Sequence, residues 1–261
     1  MKNLIFGVIV LSLISCNSSD TGTSKMPGAY FMTSQTVNDG KKDTRYTDLK
    51  QLKIYTDNFM MYTQVNPSDS ASAFGVGTYN SDSGGVVENV IYSARDTSFS
   101  NGPSRFKLDV TKTPDGYEQV IPEIVTDSQK YKLTEVYQSV GTTAKTPLDG
   151  VWKETNSYII HGKDTMKNVR TQFKTFYAGY FMFGHTLTDS ASKKRTNIGF
   201  GTFTWVNNNK IKETDLNSTY SINAGQSFDI DIEMTGKDKY KQTISGTDGS
   251  KSVEYYERLK K

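Results

Sequence analysis

The chain repeats itself, and the repeat constrains its fold more than any other feature. Gln51-Leu52-Lys53 returns as Gln172-Phe173-Lys174, and Phe59-Met60-Met61-Tyr62 as Tyr180-Phe181-Met182-Phe183. Asp69-Ser70-Ala71-Ser72 recurs as Asp189-Ser190-Ala191-Ser192, and Gly75-Val76-Gly77-Thr78-Tyr79 as Gly199-Phe200-Gly201-Thr202-Phe203. The offsets are 121, 121, 120 and 124, so two homologous halves align with short insertions. A unit of about 110 residues is far longer than the roughly 20–50 residues of solenoid repeats and propeller blades, so each copy is a whole domain.

The copies open alike, at Gly28-Ala29-Tyr30 and Gly150-Val151-Trp152, and close alike, at Leu133–Tyr137 and Ser252–Tyr256. This predicts domains over 28–140 and 150–261. The segment 141–149 has no apolar periodicity, carries Pro147 and reads as the linker. Within each copy, aromatic and β-branched residues alternate with polar ones, as in Phe106–Val110, Tyr117–Ile121, Phe228–Ile232 and Tyr240–Ile244. Each run is bounded by turn residues such as Pro114-Asp115-Gly116 or Thr247-Asp248-Gly249. The pattern predicts an all-β protein in which each copy is an antiparallel barrel or sandwich. Asp43–Leu49 and Asp164–Val169 are expected to form one short helical turn each. The Gly75-x-Gly77 and Gly199-x-Gly201 pairs lie inside strand pattern with no following helix, which excludes a dinucleotide loop. They are expected to let the sheet bend or another segment pass close.

The N-terminus predicts the address. Lys2, the apolar run Leu4–Ile14 and then Ser15-Cys16 form a signal peptide over 1–15 that is too short to span a bilayer as a helix. Leu13-Ile14-Ser15-Cys16 resembles the bacterial lipobox, and the chain's one cysteine falls where acylation needs it. The membrane partner is therefore expected to be reached through a lipid on Cys16, with 16–27 as a polar tether. Asn17 after the cysteine resembles an outer-membrane sorting signal, which implies the outer membrane of a Gram-negative envelope. One thiol permits no internal disulfide, so stability has to come from packed cores.

The net charge of +3 conceals an asymmetry. Residues 28–140 hold 11 Lys and Arg against 14 Asp and Glu, net −3, and residues 150–261 hold 17 against 12, net +5. A solvated surface accounts for this more simply than face-to-face attraction or a bound anion. The basic residues are scattered, which excludes nucleic acid as a partner.

Gly150-Val151-Trp152 together with Glu254-Tyr255-Tyr256-Glu257-Arg258 resembles the lipocalins, and more broadly the calycins. The closer resemblance is to lipocalin-like domains of Bacteroides-type envelope lipoproteins. It implies two tandem small antiparallel up-and-down barrels, in the second of which Gly150, Trp152 and Arg258 seal one end, with Arg258 across the indole. Gly28 and Tyr30 stand in the corresponding places of the first copy, where Ser139 replaces the arginine. The first barrel is thus expected to be sealed less firmly, or by its neighbour.

Candidate site residues follow from the strands. Phe59, Met61, Phe181 and Phe183 are expected to share one face and to line a ligand cavity, with Met60, Tyr62 and Met182 on the other face. Glu88 and Glu213, nine and ten residues after Tyr79 and Phe203, are candidates to point inward at a ligand's polar end. Most lone carboxylates on alternating strands face water. Glu135 and Glu254 are suited to binding the barrel's own tyrosines. His161 and His185 have no metal-ligand spacing and are expected at the surface or rim, and no catalytic residue, cofactor or metal is expected. The resemblance, with the aromatic strands, implies a non-catalytic binding protein with a small apolar or amphipathic ligand in a barrel mouth. The alternative is a surface module with filled barrels that recognises polysaccharide or protein through exposed tyrosines and Trp205.

Overall fold

Closely spaced turns and alternating side chains make eighteen strands. The protein is seen in a computed structural model that describes residues 26–67, 71–82, 85–94, 103–126, 129–141, 145–188, 193–207, 209–220 and 224–261. The signal sequence, Cys16, the tether up to residue 25, and residues 69–70 and 189–192 of the repeated Asp-Ser-Ala-Ser motif lie outside the described residues.

The first half holds β1 (Gly28–Asn38), β2 (Asp43–Tyr46), β3 (Lys50–Tyr55), β4 (Phe59–Val65), β5 (Ser72–Asp82), β6 (Gly85–Ser93), β7 (Ser104–Thr113), β8 (Gly116–Thr126) and β9 (Gln129–Val140). The second repeats the order with β10 (Gly150–His161), β11 (Asp164–Lys167), β12 (Thr171–Tyr177), β13 (Tyr180–Thr188), β14 (Lys194–Asn207), β15 (Lys210–Ser218), β16 (Ser227–Gly236), β17 (Lys239–Ser245) and β18 (Lys251–Arg258). From β3 to β9 and from β12 to β18 each strand pairs with the next; β1 pairs with β3 and closes the ring against β9, and β10 pairs with β12 and closes it against β18. Each half is a closed eight-strand antiparallel barrel, as the resemblance implies. Among the described residues no strand is shared between the two sheets.

The expected helical turns are strands instead. β1 overshoots the barrel: β3 takes one edge over Gly28–Phe31, and β2 takes the same edge over Gln35–Asn38. β11 does the same along β10. A four-residue segment cannot recover the cost of helix nucleation, whereas the free edge offers it a ladder immediately. Asp39 fixes the first of these hairpins by accepting from the backbone N–H groups of Lys41 and Lys42, and Gly40 supplies the positive φ.

The paired glycines have two separate tasks. A Cβ at Gly75 would stand 2.6 Å from the Tyr62 ring, and one at Gly199 2.4 Å from the Phe183 ring, so these glycines admit an inward aromatic from the preceding strand. Gly77 and Gly201 sit at β-bulges, where a Cβ would come within 2.2 and 1.9 Å of the facing strand's carbonyl oxygens. Strand curvature needs both kinds of relief.

The barrels meet through apolar outer faces rather than through complementary charge. Ala29, Leu52, Ile54, Phe59, Met61, Phe74 and Val76 from the first pack with Val151, Phe173, Met182, Ile198 and Phe200 from the second as one buried cluster. β4 and β5 lie against β13 and β14. Phe31 meets Tyr180 edge-on at 5.7 Å, and Ser72 donates to the Thr196 carbonyl oxygen at 2.9 Å. Phe59 and Met61 therefore point away from their own barrel, which corrects the expectation that they share the inward face of Phe181 and Phe183. Met60 and Tyr62 are the inward residues of β4. Register explains the correction, because the offset of 121 equates Met60 with Phe181 and Tyr62 with Phe183.

Candidate functional site

Inside each barrel the side chains form three tiers, stacked from a sealed end to a mouth. At the sealed end of the second barrel the Trp152 indole N–H donates to the Leu148 carbonyl oxygen at 2.7 Å. The Arg258 guanidinium carbon lies 4.0 Å from the Trp152 ring centroid, a cation–π contact of about 0.5–2 kcal/mol. The same guanidinium donates to the carbonyl oxygens of Asp149 and Pro147. Gly150 has φ +140°, and a Cβ there would stand 2.2 Å from Arg258 Nη1. The first barrel builds this end from different groups. Tyr30 OH donates to the Met26 carbonyl oxygen at 3.1 Å, and Ser139 pairs with Tyr30 where Arg258 pairs with Trp152. Met26 and Leu148, from segments read as tether and linker, are thus core residues. Aromatic pairs complete the tier: Tyr117 stacks on Tyr137 at 4.8 Å and Tyr240 on Tyr256 at 4.7 Å.

The middle tier is polar and is duplicated except at one place, where Tyr55 OH donates to Glu88 and the second barrel has Phe176. Lys53 on β3 forms a buried ion pair with Glu88 on β6 at 2.7 Å, and Lys174 on β12 forms one with Glu213 on β15 at 2.6 Å. Lys53 Nζ also donates to Gln119 Oε1, and Gln119 Nε2 donates to Glu135 Oε2, at 3.2 and 2.6 Å. Lys174, Gln242 and Glu254 repeat these bonds at 3.2 and 2.7 Å. Tyr137 donates to Glu135 at 2.9 Å and Tyr256 to Glu254 at 2.6 Å, and the Gln51 and Gln172 amides contact the same hydroxyls. Glu135 and Glu254 thus bind the barrels' own tyrosines, as expected. Burial pushes the Tyr137 and Tyr256 hydroxyls well above the ordinary tyrosine range, which keeps them protonated donors.

Several of these residues escaped the sequence reading. Gln51, Lys53 and Gln119, with their counterparts Gln172, Lys174 and Gln242, are all buried. The available signal was the repeat itself, which retains Gln-x-Lys in both halves on strands whose alternate residues are also apolar.

The barrels differ above this shared tier. In the second, Arg170 bridges Glu154 and Glu254 at 2.7 and 2.9 Å. Burial alone would raise the Glu254 carboxyl, but Arg170 and Lys174 outweigh it and hold it below the usual range. For Glu213 burial wins against Lys174, and its carboxyl is raised. His185 is buried, not at the surface as expected. Its Nδ1 meets Gln172 Oε1 at 3.0 Å, and its Nε2 meets Tyr220 OH and Asn197 Nδ2 at 3.2 Å each. Burial, with Arg170 nearby, pushes its pKa down to about 4, so the ring is neutral at pH 7. His161 is exposed. Phe181 is fully buried in the second core, and Phe183 lines that barrel's cavity.

Both barrels contain a partly enclosed cavity over the polar tier, of about 300 Å³ in the first and about 160 Å³ in the second. The first reaches the lower bound of ligand sites, about 300 Å³, and the second falls short of it. The first cavity's floor is Gln51, Lys53, Glu88, Gln119, Glu135 and Tyr137. Its wall above the floor has an apolar side of Val90, Phe106, Ile121, Ile124 and Leu133, and Gln35, Tyr62, Gln64, Ser93 and Ser104 complete the lining. Register sets this order, since Ile121 pairs with Leu133 one inward step beyond the Gln119–Glu135 pair. On the outer surface, Trp205 is half-buried against the second core. Of the exposed tyrosines, Tyr46 is in the first barrel and Tyr220 and Tyr255 are in the second; Tyr220 turns its hydroxyl in to His185 and Tyr158 meets Tyr255 edge-on, so these do not make a flat aromatic row.

No protein-family model matches the sequence, and no curated protein is significantly similar to it. Five chains of solved structures match. One is the isotype 1 transferrin binding protein B (TbpB) from serogroup B Neisseria meningitidis, at 9% identity and a TM-score of 0.27, covering 87% of this chain. The match spans 64% of that protein's length. A likeness at that score carries no argument about ligand or partner.

Proposed function

We propose that the chain is a lipocalin-like, lipid-anchored envelope protein that binds a small amphipathic molecule in its first barrel and catalyses no reaction. One observation carries the reading: a cavity of about 300 Å³ whose floor is hydrogen-bonding and charged and whose wall above it sets an apolar side, Val90, Phe106, Ile121, Ile124 and Leu133, beside the polar Gln64, Ser93 and Ser104. A ligand with a polar head and a short apolar body matches that lining. An apolar ligand would bury the Glu135 carboxylate and the Lys53–Glu88 pair further while offering them no polar partner, a penalty of several kcal/mol. The second barrel, whose cavity is smaller and is crossed by the Glu154–Arg170–Glu254 bridge, serves as a support.

Anchoring at Cys16 supports an orientation. Met26, at the sealed end of the first barrel, is 26 − 16 = 10 residues from Cys16. Ten residues reach at most about 35 Å when fully extended. The sealed end is then the end nearest the membrane, and the first barrel's mouth opens away from it.

The test is untargeted mass spectrometry of small molecules released from the purified unlipidated chain, compared with a Ser104→Trp variant whose indole blocks the first cavity. A compound recovered from the wild type and lost from the variant supports the reading. Identical spectra, together with identical thermal stability before and after organic extraction of the wild type, overturn it.

A further inference from the structure

The shared carboxylate of the middle tier has a cationic partner in one barrel and none in the other. Glu254 Oε2 accepts from Gln172, Gln242 and Tyr256, and its Oε1 receives Ser252 and the Arg170 guanidinium. Glu135 Oε2 likewise accepts from Gln119 and Tyr137, but its Oε1 receives a single amide, that of Gln35. A carboxylate has about four lone-pair sites, and Glu135 uses three of them. It is 5% exposed and faces the larger cavity.

The sequence change behind this difference is a matched pair. The offset of 121 that equates Gln51 with Gln172 sets Leu49 opposite Arg170, and the offset of 122 that equates Gly28 with Gly150 sets Met32 opposite Glu154. Leu49 and Met32 are both buried in the first core. The second barrel thus carries its own guanidinium against the carboxylate, with a second glutamate to share it. The first has apolar groups at both positions and a cavity almost twice as large. Among the described residues lining that cavity, Lys53 is the one cation, against Glu88 and Glu135. Lys53 is already committed to Glu88 and Gln119, so Glu135 is the group left to meet an incoming charge.

We infer that the first barrel binds a small organic cation, an alkylammonium or alkylguanidinium, with its charged head on Glu135 and its apolar body along Ile121, Ile124, Leu133 and Phe106. In the second barrel Arg170 fills the equivalent place from within the chain. Lys53 does not forbid the ligand, because the second barrel holds both Lys174 and Arg170 around Glu254. The inference rests on the proposed binding role of the first barrel and names the chemical class of what it holds.

Isothermal titration calorimetry of the purified chain carrying both barrels tests it, with hexylamine and hexylguanidine as probes and 1-hexanol and hexanoate as controls. The amines are expected to bind one per chain and at least about tenfold more tightly than hexanol, since one desolvated charge pair is worth at least a factor of ten. Hexanoate should not bind. Glu135→Gln should reduce the amines to the affinity of hexanol. Leu49→Arg with Met32→Glu, which transplants the internal pair and spares Glu135, should abolish amine binding while circular dichroism reports an intact barrel. Arg170→Leu with Glu154→Met should open a second amine site. Equal binding of hexanol and hexylamine, or Glu135→Gln without effect, overturns the cationic assignment and leaves the binding role standing. Failure of all four probes, with none of them displacing a co-purified compound, overturns both.

Discussion

Gly184 and Phe74 belong to different barrels and touch, so one substitution there tests the packing of the two halves. A Cβ at residue 184 would stand 2.3 Å from Phe74 Cγ and 2.6 and 2.8 Å from its two Cδ atoms. Ordinary carbon contacts lie at about 3.5–4.0 Å, so Gly184→Ala requires the ring to withdraw by roughly 1 Å or more. Tyr92 stacks on that ring at 5.4 Å and Phe173 lies at 6.5 Å, which blocks the retreat. Overpacking of this kind destabilises by about 1–3 kcal/mol. Phe74→Ala removes a fully buried ring and should destabilise by about 3–5 kcal/mol. The two effects should not add. Once the ring is gone the alanine methyl enters the space it left, so the double variant should be no less stable than Phe74→Ala alone, a coupling of about 1–3 kcal/mol. Urea unfolding reads this directly through Trp152 and Trp205, both in the second barrel. Strict additivity, or Gly184→Ala within about 0.5 kcal/mol of wild type, would refute the packing described above.

Other perturbations address the interior. Lys174→Met leaves Glu213 buried without its cation and should lower stability by about 3–5 kcal/mol, whereas adding Glu213→Leu should restore most of it; differential scanning calorimetry of both variants distinguishes lost charge pairing from lost volume. His185 is held neutral with its pKa near 4 against an ordinary 6.5, so its contribution is complete above pH 6.5 and is lost as pH falls toward 4. That amounts to about 3 kcal/mol, and in urea titrations the wild type should lose more stability than His185→Asn between pH 7 and pH 4. Arg258→Met should lower the melting temperature through loss of a cation–π contact of about 0.5–2 kcal/mol and of two carbonyl partners, and Ser139→Ala in the first barrel should change it little.

The architecture was legible because two signals agreed: alternation fixes strands, and the repeat fixes how many domains they build. Where the reading failed, the usual binary rule was inverted. In β3, Leu52 and Ile54 face outward into the second barrel while Lys53 and Gln51 face inward. A rule that sends apolar residues in and charges out misassigns both sets. The same inversion hid the Lys–Glu pairs, since each partner alone looks like a solvated charge and only barrel closure brings β3 to β6. β2 and β11 were missed for a local reason, because four residues carry too little periodicity to reveal an edge that exists only after β1 overshoots. The phase of Phe59 and Met61 was recoverable from the repeat offset, which ranks register above residue type.

The joint between the halves is made of equivalent strands, β4 against β13 and β5 against β14. Met61 and Met182, Leu52 and Phe173, and Val76 and Phe200 hold matching places on its two sides. A patch that is its own complement associates about a twofold axis without any second surface having to arise. Covalent linkage removes a constraint of symmetry: a homodimer must carry Leu49 or Arg170 in both subunits, whereas a fused pair can carry one of each.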